Sequence, residues 1–599
     1  MSAKRQRTPT PRRWWPLSDA RAAAFRRASS WAAGVARAGT QPPIDPLGGP
    51  KMALAGRVVT MDPNDSVIEK GVVYVDAGVI VGVRDRRAPR PDGFEKTRIV
   101  DTRGTLFPGL IELHNHLCYN ALPLWAPIPQ PFEYTGQWRS HPDYQRLVNG
   151  PMMVIGRTPS LLPSLVRYVE VKCLLSGVTT SQGIRLFSNG GVSTYYRGIV
   201  RNVEQTRDPA LPDADARIPD VTASDALEFL ADLEAAKKTP RCLLLHLAEG
   251  VTRTNDETQS ARRHFLALHV APNLWAINEA LAGIHASGLL PEDLRLYQGL
   301  GGSIVWSPLS NLLLYGATTD IRTARELGIK IGLGSDWSPT GSKNLLCELK
   351  VAWLYSQRFL DGLLSPRDLV AMATRTAAQI LRWDAELGSL ESGKRADLLV
   401  IAGTSGDSYE ALVRATELSV RLVVINGFAR YGTASLMRKL APSYESLRLR
   451  DQSRGLYLEQ ATTHPAVAPI SLAAARDTLR DGLARIQDLA RDLERRDQTP
   501  TREAAATEGV VWSLALDELH PTGLEIRPRL PYAGPNDFTG PSLAFRGAEL
   551  EAGAPLSEIL GPIDLDPLTV VEDPDYLKQL AAQPNVPSAI KDKLSEFYP

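Results

Sequence analysis

Cysteine is scarce in this 599-residue chain: Cys118, Cys173, Cys242 and Cys347 stand far apart, and no Cys-x-x-Cys pair occurs. That argues against a disulfide framework or a thiolate zinc cluster, and it fits a reducing compartment. An excess of one charge is missing too. Basic residues number 68 and acidic ones 67, a net charge of +1, so no global field draws the chain to nucleic acid or an anionic membrane. No run reaches the roughly 18–20 consecutive apolar residues of a membrane span. Two arginines precede Trp14 and Trp15, but no apolar stretch of an export signal follows them. The expected location is therefore the cytoplasm. Histidine is rare as well, nine in all, which gives weight to where each one falls.

What remains is a globular composition, 43% apolar and 23% charged, in a chain too long for one core. Residues 1–50 read as a basic tail, with Arg5, Arg7, Arg12, Arg13, Arg21, Arg26, Arg27 and Arg37 and almost no acid. Residues 51–105 hold short β-branched runs broken by turn residues, and 395–435 hold more of the same. Two strand-rich pieces flanking a long middle predict one small β-sandwich domain built from both. The middle, 106–394, alternates apolar strand-like runs with helical patterns. This predicts an α/β architecture, a (β/α)8 TIM-like barrel of parallel strands. Seven strand ends are visible, near His114, Thr180, Val200, His246, His285, Trp306 and Ser335, against the eight such a barrel needs. Residues 436–599 form a C-terminal extension. Ser471 to Arg496 there reads as one charged amphipathic helix, and the acidic, proline-rich stretch around Pro562–Pro567 as irregular wrapping without chemistry.

The run Phe107-Pro108-Gly109-Leu110-Ile111-Glu112-Leu113-His114-Asn115-His116 carries the strongest signal. Residues two apart on a strand share a face, so His114 and His116 are expected to point together into the barrel. A pair of imidazoles suits zinc or iron better than magnesium or calcium. His-x-His alone is common by chance. Here Leu243-Leu244-Leu245-His246-Leu247-Ala248-Glu249, Leu281-Ala282-Gly283-Ile284-His285 and Ile331-Gly332-Leu333-Gly334-Ser335-Asp336 add three more apolar strands that end in a histidine or an aspartate. In such a barrel all strand C-termini open onto one rim, where the chemistry sits. Scattered core or surface histidines rarely fall in that order. His141, His264, His269, His464 and His520 lack such a setting and read as structural or surface residues.

These motifs, with Gly177-Val178-Thr179-Thr180, Ser307-Pro308-Leu309-Ser310-Asn311 and Leu387 to Leu398, resemble the amidohydrolase superfamily over 51–435. The branch is the one that holds chlorohydrolases and the deaminases of cytosine, guanine and adenosyl compounds. The resemblance implies a hydrolase of non-peptide carbon–nitrogen bonds. His114, His116, His246 and Asp336 would hold one divalent metal ion, zinc first and iron second. Glu249 would shuttle a proton, His285 would orient water or polarise substrate, and Asp336 would also take up a proton. Two-metal relatives bridge their ions with a lysine, but Lys172, Lys237 and Lys238 occupy no strand end between His116 and His246, which favours one metal.

The partner implied is a small molecule, and relatives are often dimers or larger, which leaves a homo-oligomer open. Tyr119, Trp125, Phe132, Tyr134 and Trp138 lie on the expected rim, where they either stack a flat heterocycle or pack the loop down. Arg185, Arg197 and Arg201 follow strand-like runs and either meet an anionic group or make surface ion pairs, and Lys343, in the rim loop after Asp336, is placed to contact substrate. Deamination of a cyclic amidine or heterocyclic amine is the leading expectation. Ring opening of a cyclic amide, or release of halide, uses the same site, and an inactive metal-binding scaffold is the alternative of another class. An acid–base glutamate beside the ligands argues against the last.

Overall fold

The computed structural model describes residues 43–188, 193–195, 198–217, 221–252, 261–498, 512–516 and 555–598. The basic N-terminal tail, Arg197 and His520 lie outside the described residues. The fold is mixed α/β.

Four strands come first among the described residues: β1 (Met52–Val59), β2 (Val67–Asp76), β3 (Val79–Asp85) and β4 (Ile99–Pro108). They share a nine-stranded sheet with five late strands, β13 (Leu398–Ala402), β14 (Val420–Ile425), β15 (Phe428–Thr433), β16 (Glu445–Leu449) and β17 (Gln452–Leu456), in the order β16-β17-β15-β14-β13-β4-β1-β2-β3. The junction between the early and late pieces is antiparallel, Leu398 facing Pro108 and Leu399 facing Phe107. Because side chains alternate across a strand, Leu398 and Val400 join a core with Met52, Leu54 and Val73. Leu399 and Ile401 join the main core on the other face.

Between the flanks run short parallel strands. β5 (Leu110–Ile111), β6 (Val178–Ser181) and β7 (Arg201–Asn202) form one sheet, and β8 (Asp215–Arg217), β9 (Leu243–Leu247), β10 (Leu281–His285), β11 (Ser303–Trp306) and β12 (Ile331–Leu333) another. Backbone bonds continue past each assigned end. Ala214 N donates to Val203 O at 2.8 Å, between β7 and β8. On the other side Leu113 N donates to Leu333 O (3.3 Å) and Asp336 N to His114 O (3.1 Å), linking the ends of β5 and β12. β9 and β10 are buried throughout, which explains why they read as continuous apolar runs rather than alternating ones.

Helices cover these strands. α1 (Thr135–Arg139) lies in the long loop after β5, and α2 (Leu162–Leu175) precedes β6. α3 (Ala226–Lys238) precedes β9 and buries Ala226, Phe229, Leu233 and Ala236, one helical stripe. α4 (Pro308–Tyr315) follows β11, and α5 (Leu345–Phe359) follows β12. The helix expected over Ser471–Arg496 is two, Leu472–Ala484 and Ile486–Gln498, because the backbone leaves helical geometry at Arg485 (φ −104°, ψ 22°). Its apolar stripe is a packing face: Leu472, Leu479, Leu483, Ile486 and Leu493 are buried. Among the described residues no helix is long and apolar enough to cross a membrane.

Arg201 ties the parallel strands to the large sheet. Expected on the rim or in a surface pair, it is instead fully buried, donating to Thr180 Oγ1 (3.0 Å), Asn426 Oδ1 (2.6 Å) and both carboxylate oxygens of Asp397. Breaking one half of a buried pair leaves a charge in a low-dielectric interior, a cost of about 3–5 kcal/mol. Asp397→Asn is therefore expected to lower the urea unfolding midpoint sharply. Arg201→Met/Asp397→Leu, which removes both charges, is expected to lower it less.

Candidate metal centre

The polypeptide arrives at the site by short parallel strands whose last residues adopt unusual backbone. Ala248, His285, Ala286 and Asp336 all have positive φ, between 48° and 65°, a region that L-residues enter only when their surroundings hold them there. Gly334 lets two strands close up. A Cβ at that position would lie 2.4 Å from His114 Cβ.

His114, His116, His246 and Asp336 converge. His114 Nε2 lies 3.1 Å from His116 Nε2 and 3.1 Å from His246 Nε2, and Asp336 Oδ1 lies 3.3 Å from the Nε2 atoms of His114 and His116. A ring nitrogen carries at most one proton, so one His114 Nε2 cannot satisfy all these neighbours by hydrogen bonding. Asp336 Oδ1 is buried and accepts no hydrogen bond, while Oδ2 accepts one from Ser310 Oγ at 2.6 Å. Burial first, then the nearness of His285, His246 and His116, holds the His114 ring well below the ordinary histidine range. It is neutral and offers a lone pair. Donors about 2.0–2.2 Å from a tetrahedral zinc stand roughly 3.3 Å apart, the spacing seen here, so the donor set fits a small divalent cation. His114 Nδ1 meets Ser307 Oγ at 2.9 Å, which fixes the ring with Nε2 directed to the cluster.

Glu249 and His285 stand beside these donors. His285 Nε2 is 3.8 Å from Glu249 Oε1, and His285 Nδ1 meets Asn311 Oδ1 at 2.8 Å. Asn311 in turn donates to Thr318 Oγ1 (3.0 Å), so its oxygen faces the ring, and His285 carries its proton on Nδ1. Glu249 Oε1 accepts from Tyr315 Oη at 2.7 Å, and Tyr315 accepts from Trp138 Nε1 at 2.8 Å. Burial and the charge of Glu249 push the Tyr315 phenol well above its usual range, so it stays protonated and donates. All six residues singled out in the sequence are brought together. His116, His246, Glu249, His285 and Asp336 line a narrow cleft with Trp138, Arg139 and Trp337.

Sequence reasoning assigned no role to Ser307, Ser310, Asn311 or Tyr315. A signal was available: Asn311 and Tyr315 are four apart on α4, which starts where β11 ends, so both face the rim. Of the rim aromatics, Tyr119, Trp125 and Phe132 are buried packing residues, and Trp138 also reaches the cleft. Lys343 is not a rim contact. It is fully buried, paired with Asp566 (2.5 Å) and Asp573 (2.7 Å). Lys172 sits within α2, its amine engaged by Asp566 at 2.5 Å.

A model of the Amidohydrolase family matches residues 216–429, the segment with His246, Glu249, His285 and Asp336. The chain is 27% identical over 379 residues to a 5-methylthioadenosine/S-adenosylhomocysteine deaminase of Symbiobacterium thermophilum, covering 58% of this chain and 84% of that protein. It is 26% identical over 193 residues to an S-triazine hydrolase of Gordonia rubripertincta, covering 31% of this chain and 40% of that protein. Among solved structures, an adenosine deaminase of Xanthomonas campestris with bound zinc aligns at TM-score 0.49 and 19% identity, covering 64% of this chain and 94% of that one.

Tyr315→Phe tests whether Glu249 depends on its donor. A hydrogen bond to a charged group is worth about 1.5–3 kcal/mol, so kcat/KM is expected to fall roughly 10-fold or more, with metal content unchanged by elemental analysis.

Proposed function

We propose that this chain, a hydrolase resembling the amidohydrolase superfamily in its deaminase and chlorohydrolase branch, holds one divalent metal and removes an amino group from a heterocyclic amine. The reading rests chiefly on one observation. Three imidazole nitrogens and a carboxylate oxygen crowd together, with a carboxylate and a fourth imidazole beside them. The architecture assigned with it is a closed barrel of eight parallel strands, β5 to β12. The large sheet is read as the flanking β domain, contributed by 51–105 and 395–435 and extended at one edge by β16 and β17, which the sequence assigns to the C-terminal extension.

His114, His116, His246 and Asp336 are the assigned ligands, and zinc is the metal that this donor set favours, iron the second choice. When bound, such an ion supplies Lewis acidity that brings the pKa of a water to about 7. Glu249, fixed by Tyr315, takes the proton of the attacking water and passes it to the departing nitrogen. His285 bears its proton on Nδ1, held by Asn311, so in the neutral ring Nε2 presents a lone pair to the cleft. It orients the water or the ring nitrogen of the substrate. Trp138 and Trp337 flank the cleft and suit a flat aromatic substrate.

The test is elemental analysis paired with ammonia release over adenosyl, guanine and triazine amines. Wild type is expected to carry about one zinc or iron per chain and His246→Ala to lose it. Glu249→Gln is expected to keep the metal and lose about 100-fold or more in kcat. Metal without ammonia would replace deamination by ring opening or dehalogenation at the same site. Wild-type protein without metal, purified free of chelators, would overturn the reading.

A further inference from the structure

The C-terminal segment 555–598 lies beyond everything the family resemblance covers, yet it grips three segments that surround the candidate metal centre. Gln583 reaches the loop after His116, donating to Trp125 O (3.0 Å) and accepting from Ile128 N (2.9 Å). Tyr576 Oη donates to Gly341 O (3.3 Å) in the loop after Asp336. Asn585 donates to Leu313 O (2.8 Å) on α4, the helix of Asn311 and Tyr315.

At the centre of this grip is a buried cluster of four charges. Asp566 Oδ2 accepts from Lys172 Nζ and Oδ1 from Lys343 Nζ, each at 2.5 Å, and Lys343 also meets Asp573 at 2.7 Å. The side chains of Lys172, Lys343 and Asp566 are at most 3% exposed. Two cations balance two anions, so the cluster is neutral. Buried ion clusters are a weak source of stability, since apolar side chains of similar volume often do as well. What distinguishes this one is where the bonds of Lys172 go.

We propose that Asp566 is a positioning residue for the metal centre, acting through Lys172 and Asn120 on the loops that follow His116 and Asp336. The proposal rests on the one-metal reading above. Lys172 Nζ has three acceptors from three separate segments: Asp566, Asn120 O (2.7 Å) and Ser338 Oγ (3.3 Å). Asn120 then locks the two loops together. Its Oδ1 accepts from Ser338 N (2.8 Å), and its Nδ2 donates to Asn115 Oδ1 (2.9 Å). Asn115, between His114 and His116, donates to Ser335 Oγ (3.2 Å), the neighbour of Asp336. Asp566 N adds a direct bond to Ala121 O (3.0 Å). Without the carboxylate, Lys172 loses the anion that both fixes its direction and favours its charged form. Burial already draws its amine down to about 8, so it turns or sheds its proton, and Asn120 and Ser338 lose their common donor.

Two full-length variants test this, Asp566→Asn and Lys172→Met/Asp566→Leu; the second removes both charges and leaves the Lys343–Asp573 pair in place. Four quantities are measured: the melting temperature, the rate of metal loss to excess EDTA well below melting, and kcat and KM for the amine that wild type turns over. Outer residues that orient metal ligands typically account for about 10–100-fold in metal affinity or activity. Both variants are accordingly expected to lose metal about 10-fold faster or more, with kcat lowered and KM little changed. The double variant is expected to do so at a near wild-type melting temperature. A folded double variant with wild-type metal loss and kcat would overturn the proposal, even if Asp566→Asn fails to fold. Metal loss is read without any substrate, so failure of the deaminase reading leaves this test intact. Wild type that holds no metal would instead remove the premise of both.

Discussion

The candidate site is arranged around the crowding of four metal-donor atoms at one point. His114 Nε2 faces two other ring nitrogens and a carboxylate oxygen within 3.3 Å, inside a buried cluster. Hydrogen bonds cannot satisfy such a group of acceptors, and a cation can. Holding them so close requires a stiff frame, and the frame is visible. Short parallel strands deliver one or two donors each. Gly334 lacks the side chain that would push neighbouring strands apart, and positive φ at His285 and Asp336 turns their side chains inward. Ser307 and Ser310 then fix a ring and a carboxylate from outside.

The groups proposed to move protons are built on the same plan but kept separate. Glu249 lies just past the end of β9, three residues after His246, yet its hydrogen-bond donor, Tyr315, comes from α4. His285 likewise takes its orientation from Asn311 on that helix. One helix thus sets the direction of both groups, and the C-terminal segment in turn holds that helix through Asn585. The buried carboxylates and ammonium groups beneath the loops have no direct role in the chemistry. Their desolvation is offset by the ion pairs and hydrogen bonds they make with one another and with the loops.

Much of the site was legible in the chain. His-x-His at a strand end, Leu-Leu-Leu-His, Ala-Gly-Ile-His and Gly-Ser-Asp each announce a side chain at the end of an apolar strand, because the periodicity of a strand is local. The supporting residues were harder to read. Ser310 and Asn311 were visible within a motif, but which ring or carboxylate each would meet depends on a neighbouring strand. Trp138 and Tyr315 stand 177 residues apart in sequence and 2.8 Å apart in space. Arg201 and Lys343 read as surface or rim cations and are buried, since a charge looks the same in sequence whether or not an acid is waiting for it. The C-terminal acidic stretch looked like wrapping for the same reason. Asp566 gains its meaning only from Lys172 and Lys343, 394 and 223 residues away.

By itself, then, the sequence determined the chemical kinds and their local order: which strands end in imidazoles, which end in carboxylates, and that cysteine and net charge contribute little. Those follow from short-range periodicity and composition. The tertiary structure alone decided which of these side chains meet, which partner fixes each, and which charges are buried in pairs. Such contacts join residues far apart in the chain, and they exist only when the free energy of packing closes the loops between them.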